Sequence, residues 1–161
     1  MHAGTSEPGP VVLGQSAEPT DPTTIRAAME DQWASWTAGQ MVRDQDFTPD
    51  SDYVLFDGTE LHGLAENRRQ HDRFARGALK GSVLTGRVRR IRFITPEVAV
   101  VHSTGNLRLR FHRRPKPGRD SVQTTVMRKT SDGWKIEAFQ NTRILRRGPL
   151  ARLALWLASR L

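Results

Sequence analysis

From Asp21 to Gly81 most apolar residues recur at helical spacing, and from Ser82 onward they alternate. That change of period divides the chain into a helical first half and a strand-rich second half. Asp21-Pro22 opens the first predicted helix, an N-cap carboxylate followed by the residue best suited to the first helical position. Ile25, Met29, Trp33 and Trp36 then form one stripe, with Ala28 and Gln32 beside it, and Gly39 closes it. A short second helix is predicted over Met41 to Phe47, broken by Thr48-Pro49-Asp50. Tyr53 to Phe56 reads as a short strand ending at Asp57-Gly58. A third helix is predicted from Leu64 to Leu79, with Leu64, His71, Phe74, Ala75 and Ala78 along one side and Gly81 at its end.

Strands are predicted at 82–94, 97–104, 106–113, 121–130 and 134–143. In the first of them Val88 is out of phase with Ile91 and Phe93, which a bulge near Arg89-Arg90 would reconcile while bending the strand. The last follows the tight-turn pair Asp132-Gly133. Trp134, Ile136 and Ala138 fall on one face of it, Lys135 and Glu137 on the other, and Gln140 continues the apolar face. Helices first and a bent antiparallel sheet afterwards predict an α+β fold, cone-shaped, with the N-terminal helices across the concave face of a strongly bent antiparallel sheet. Residues 1–20, rich in Gly, Pro and Ser, read as a disordered leader. Residues 21–144 form the predicted domain.

Composition narrows the function classes. A chain of 161 residues suits one domain with a sizeable core. It has no Cys, which excludes disulfides, thiolate metal sites and cysteine nucleophiles. Its formal charge of +8 is uneven. Residues 1–79 carry 6 basic against 13 acidic residues, residues 80–119 carry 11 against 1, and residues 120–161 carry 8 against 3. Arg87, Arg89, Arg90, Arg92, Arg108 and Arg110 alternate along strands, so most share an exposed face. Nucleic-acid readers interleave such arginines with aromatic rings. Only Phe93 and Phe111 are at hand here, and nucleic-acid binding is not expected. Gly4, Gly9 and Gly14 belong to no strand-to-helix turn, so no dinucleotide fingerprint exists and no cofactor is predicted. Neither a signal peptide nor a run of about 20 apolar residues is visible, which predicts a cytoplasmic protein.

Several segments, in order, resemble the SnoaL-like branch of the nuclear transport factor 2-like superfamily, and more closely the SgcJ/EcaC family of small bacterial proteins. They are the Trp helix Ile25 to Trp36, Phe47 to Tyr53, Asp57-Gly58-Thr59 with Leu61-His62-Gly63, His71, Leu79 to Ser82, Val98 to Ser103, and Gly133-Trp134 to Thr142. The resemblance implies a cone with a pocket between sheet and helices, often dimeric through the sheet. Such proteins are often labelled oxidoreductases or pathway enzymes of natural-product biosynthesis.

The candidate chemistry is acid–base. His71 lies on the apolar side of its helix, and His102 continues the phase of Val98 and Val100. Two histidines on one cavity would suit proton transfer α to a carbonyl, or a dehydration. Asp52, at the entry to the first strand, is a third candidate, since burial raises a carboxyl pKa. No metal site is predicted. Trp36, Phe56 and Phe74 would line a pocket for a flat aromatic ligand, and Tyr53 would orient a ligand oxygen. Gln140 and Asn141 end the last strand, one pointing inward to hold a ligand carbonyl. The leading expectation is a homodimeric protein binding a small aromatic or polyketide-like ligand, with cofactor-independent chemistry of the cyclase, isomerase or dehydratase type. The alternative is a non-catalytic dimeric binding or association module. Residues 145–161 form a predicted basic amphipathic helix, with Leu150, Leu153, Ala154, Leu157, Ala158 and Leu161 as its stripe. It would dock on protein or make peripheral contact with an anionic membrane.

Overall fold

The computed structural model describes residues 21–114, 119–145 and 148. The leader, and nearly all of the predicted C-terminal helix, lie outside them. Two helices pack on one curved, six-stranded sheet. In chain order these are α1 (Pro22–Thr37), β1 (Phe47–Val54), β2 (Glu60–His62), α2 (Gly63–Arg76), β3 (Val83–Thr95), β4 (Val98–Arg108), β5 (Asp120–Thr130) and β6 (Gly133–Arg143). The sheet order is β2-β1-β6-β5-β4-β3. All neighbours are antiparallel except β1 and β6, which are parallel, so the sheet is mixed where a wholly antiparallel one was expected.

The α1 helix starts as its sequence dictates. The Asp21 carboxylate accepts from the Thr23 amide at 2.9 Å, and Pro22 follows. Its stripe of Ile25, Met29, Trp33 and Trp36 is buried against the sheet. Two side-chain bonds fix it over the start of β3. Trp36 Nε1 donates to Ser82 Oγ at 3.2 Å, and the Leu84 amide donates to Thr37 Oγ1 at 3.2 Å. Trp33 lies flat on Gly86, where an added Cβ would overlap its ring. The concavity beneath α1 therefore depends on a glycine in mid-strand.

Residues 41–46 form turns instead of a helix, and two of their charged side chains, Arg43 and Asp44, reach partners outside the segment. Arg43 donates to Asp46 and, at 2.6 Å, to Asp31 on α1, while Asp44 pairs with Arg68 on α2. The Asp46 carbonyl accepts from the Ile136 amide at 2.7 Å and so starts the parallel pairing of β1 with β6. Thr48-Pro49-Asp50 lies inside β1 and breaks nothing. Pairing with β6 is interrupted between Phe47 and Asp52, and there the missing N–H of proline costs no ladder bond.

Four strands, not five, follow residue 80. β4 runs unbroken through Gly105, which pairs with Gly86 on one side and Ser121 on the other. The expected bulge in β3 is present, between Val88 and Arg90. An unforeseen one sits in β6. Met127 faces Ile136 but Val126 faces Ala138, so Glu137 is an extra residue. The alternation reverses there, and Ile136 and Phe139 are both buried. Trp134, expected in the core, is half-buried and meets Phe93 edge to face at 5.9 Å.

Candidate functional site

A cavity of about 240 Å³ lies between α1, α2 and the concave sheet face. Its apolar end is a box of rings around His71, which is 1% exposed. Tyr53 approaches the imidazole edge-on at 4.9 Å, Trp36 at 5.4 Å and Phe74 at 5.7 Å, measured between ring centroids. Tyr53 in turn stacks on Phe139 at 4.5 Å. His71 sits there because α2 presents positions 67, 71 and 74 to β1, with Asn67 and His71 fully buried.

One hydrogen bond defines the state of that imidazole. His71 Nδ1 lies 3.0 Å from the Asn67 carbonyl oxygen. A carbonyl only accepts, so Nδ1 carries the proton and Nε2 keeps its lone pair for the cavity. Burial pushes the His71 pKa below its ordinary value, against the smaller opposing effect of the Asn67 bond. The ring is therefore neutral near pH 7 and competent as a base. Burial likewise raises the Tyr53 pKa, so its hydroxyl stays protonated and can only donate or accept as a neutral group.

The sheet wall grows more polar toward the opening. Phe139 faces Thr125, Asn141 faces Gln123, and Arg143 faces Ser121. Gln123 Oε1 accepts from Ser103 Oγ at 2.9 Å. Its side chain crosses Gly105, where a Cβ would come within 2.8 Å of Nε2. Asn141 Oδ1 is buried without a hydrogen-bond partner among the described residues. At the rim, Arg143 covers the half-exposed Phe56 ring at 4.7 Å.

The candidates singled out in the sequence do not all meet. His71, Trp36, Tyr53, Phe56, Phe74 and Asn141 line this cavity. His102 does not. Ala99, Val101 and Ser103 are the inward residues of β4, so His102 is exposed on the other side of the sheet, beside Thr124. The pair of histidines on one wall is thereby corrected. Asp52 is exposed on the outward face of β1, 3.0 Å from His62 Nδ1. Gln140 is exposed as well, because the extra residue at Glu137 shifts the inward phase onto Asn141. The sequence reading missed Gln123, Ser121 and Arg143. Their signal was available as the continued inward phase of β5 and β6, given the bulge.

A larger, open groove of about 940 Å³ borders the β5–β6 hairpin. Three of its carboxylates serve the fold: Asp21 caps α1, and Asp31 and Asp46 hold Arg43. Among the described residues no group of His, Asp and Glu converges as metal ligands would.

Solved structures share this architecture. A domain of unknown function with a cystatin-like fold from Nostoc punctiforme PCC 73102 is 26% identical, with a TM-score of 0.73 over 90% of this chain and 89% of that one. A nuclear transport factor 2-like protein of unknown function from Shewanella oneidensis MR-1 is 16% identical, with a TM-score of 0.63 over 76% and 99%. The fold is nuclear transport factor 2-like. A ketosteroid isomerase-like protein from Erwinia carotovora atroseptica SCRI1043 also matches, at 13% identity and a TM-score of 0.59 over 77% and 96%. No protein-family profile matches the chain, and no curated protein matches it. No described helix is long and apolar enough to cross a membrane.

Proposed function

We propose that this chain is a SnoaL-like, SgcJ/EcaC-type protein that binds a small flat ring compound in its cone and moves a proton on it with His71. The observation that carries this reading is the buried, neutral imidazole whose Nδ1 is held by the Asn67 carbonyl and whose Nε2 is left for an aromatic-lined cavity. Trp36, Tyr53 and Phe74 would sandwich the ring, and Nε2 would take a proton α to its carbonyl. The Tyr53 hydroxyl, or the Asn141 amide, would hydrogen-bond the oxygen that gains charge. The likeness to a ketosteroid isomerase-like protein supports the class of chemistry and no particular substrate.

The test is proton exchange at carbon. In D2O the protein should speed deuterium uptake α to the carbonyl of 2-tetralone, and His71→Phe should abolish the effect while 2-tetralone still raises its melting temperature. Failure of 2-tetralone and every other one- or two-ring ketone to raise the melting temperature of the wild type would sink the proposal. Binding without exchange would leave the second reading, an association module.

That second reading draws on the outward sheet face. Val100, Val126 and Ala138 lie in one cross-strand row there, and Val122 is 45% exposed. Arg90 and Arg92 flank this face at β3, and Asp52 and Glu60, with His62 between them, at the β1–β2 edge. A two-fold axis along the strands would set the acidic edge of one protomer over the basic edge of its partner.

A further inference from the structure

We infer that the cavity selects ligands bearing a carboxylate, held at its mouth by Arg143 and Arg119 with the ring directed toward His71. This rests on the reading of the cavity as a ligand site and adds the class of ligand. The inward positions of β5 and β6 form successive rungs from the ring box outward. Phe139 with Thr125 comes first, then Asn141 with Gln123, then Arg143 with Ser121. Arg119 continues the inward phase of Ser121 and Gln123 one step beyond the strand. Polarity thus rises from aromatic through amide to guanidinium along one wall, as it would around an amphiphilic molecule with an anionic head.

Neither guanidinium has a carboxylate within ion-pair distance among the described residues. The Arg143 Cζ lies over the Phe56 ring, 4.7 Å from its centroid, a contact that limits the entropy lost on binding. Asp120 also borders the opening, and its Oδ1 accepts from Asn106 Nδ2 at 2.7 Å. Among the described residues of the lining, two guanidinium groups stand against one carboxylate. Guanidinium recognises carboxylate through paired N–H donors, which a lysine cannot reproduce. Deeper in, Asn141 Oδ1 is a buried acceptor awaiting a donor, such as a ring hydroxyl. The cavity of about 240 Å³ equals roughly eight water volumes, which limits the ligand to one or two rings.

The test compares 2-naphthoate with 2-naphthamide, which share a ring system and differ in charge. Titration calorimetry on the full chain should give at least tenfold tighter binding of the naphthoate. Arg143→Gln should lose most of that preference, the ratio of the two affinities falling toward one, while its melting temperature stays near that of the wild type because the residue is exposed. Arg143→Lys should recover only part of it. Equal affinity of wild type for both compounds would overturn carboxylate selection while leaving the ring site standing. An unchanged preference in Arg143→Gln and in Arg119→Gln would overturn the assignment to these residues. If neither compound binds, the ring-site reading falls together with this one.

Discussion

The neutral state of His71 follows from two local facts, a carbonyl that holds Nδ1 and a surrounding that excludes water. The same facts make it an acid-sensitive point. Its folded pKa lies below the unfolded value near ~6.5, so on acidification the unfolded chain takes up a proton first. Stability should be full above pH ~6.5 and fall as pH drops from there toward the folded pKa. His62 has the opposite sign. Its bond to Asp52 raises its pKa, so its contribution is full below about pH 6.5 and is lost as pH rises through the raised value. Melting temperatures from pH 5 to 8 check both. His71→Gln should flatten the acid limb only, and His62→Gln should alter only the slope above pH ~6.5. Gly86 is the other residue on which the cavity turns. Gly86→Ala would drive a methyl into the Trp33 ring and should cost about 2 kcal/mol or more by denaturant unfolding. Trp33→Leu in that background should recover part of the loss, because the two sites share one space.

At the scale of elements, the decisive feature is the bulge in β6. Alternation read along SDGWKIEAFQNT put Ala138 and Gln140 inside, and it holds only as far as Ile136. A bulge is a relation between two strands. Nothing in β6 alone states that Glu137 has no partner opposite. It is the pairing of Met127 with Ile136 and of Val126 with Ala138 that makes it so. Deleting Glu137 should restore strict alternation while Phe139 and Asn141 stay inward, opposite Thr125 and Gln123, so that only the bend given by the extra residue is lost. We expect a loss of about 1–3 kcal/mol by urea unfolding, less than removing a core aromatic side chain would cost. Trp134→Ala should also cost about 1–3 kcal/mol, because that ring is only half-buried and rests edge-on against Phe93. The segment 41–46 teaches the same lesson. Its spacing allowed a helix, but Arg43 and Asp44 are held by Asp31 and Arg68, partners on the two helices.

At the scale of the whole molecule, the uneven charge acquires a shape. Four arginines of the basic run, Arg87, Arg89, Arg90 and Arg92, lie on the edge strand β3, and Asp50, Asp52 and Glu60 of the acidic first half lie on β1 and β2 at the opposite edge. A protomer with opposite charges on the two edges of one partly apolar face is suited to pair with itself. Sedimentation velocity should find a dimer at low salt that weakens as salt screens the edges. Arg90→Glu with Arg92→Glu should give a monomer, and a wild type that stays monomeric at high concentration would exclude this interface.

What the sequence determined by itself was local. Asp21 and Pro22 start α1, its stripe of four apolar residues faces the sheet, Gly133 turns the last hairpin, and the change of period at Gly81 divides helix from strand. These depend on neighbours within a few positions, which a chain carries in its order. The tertiary structure decided what depends on a partner distant along the chain. It paired β1 with β6 in parallel, although 78 residues separate Val54 from Gly133. It moved His102 and Gln140 away from the cavity and brought Asn141, Gln123 and Arg143 onto one wall. A strand has two faces, and only the register of its neighbour selects which one the core takes.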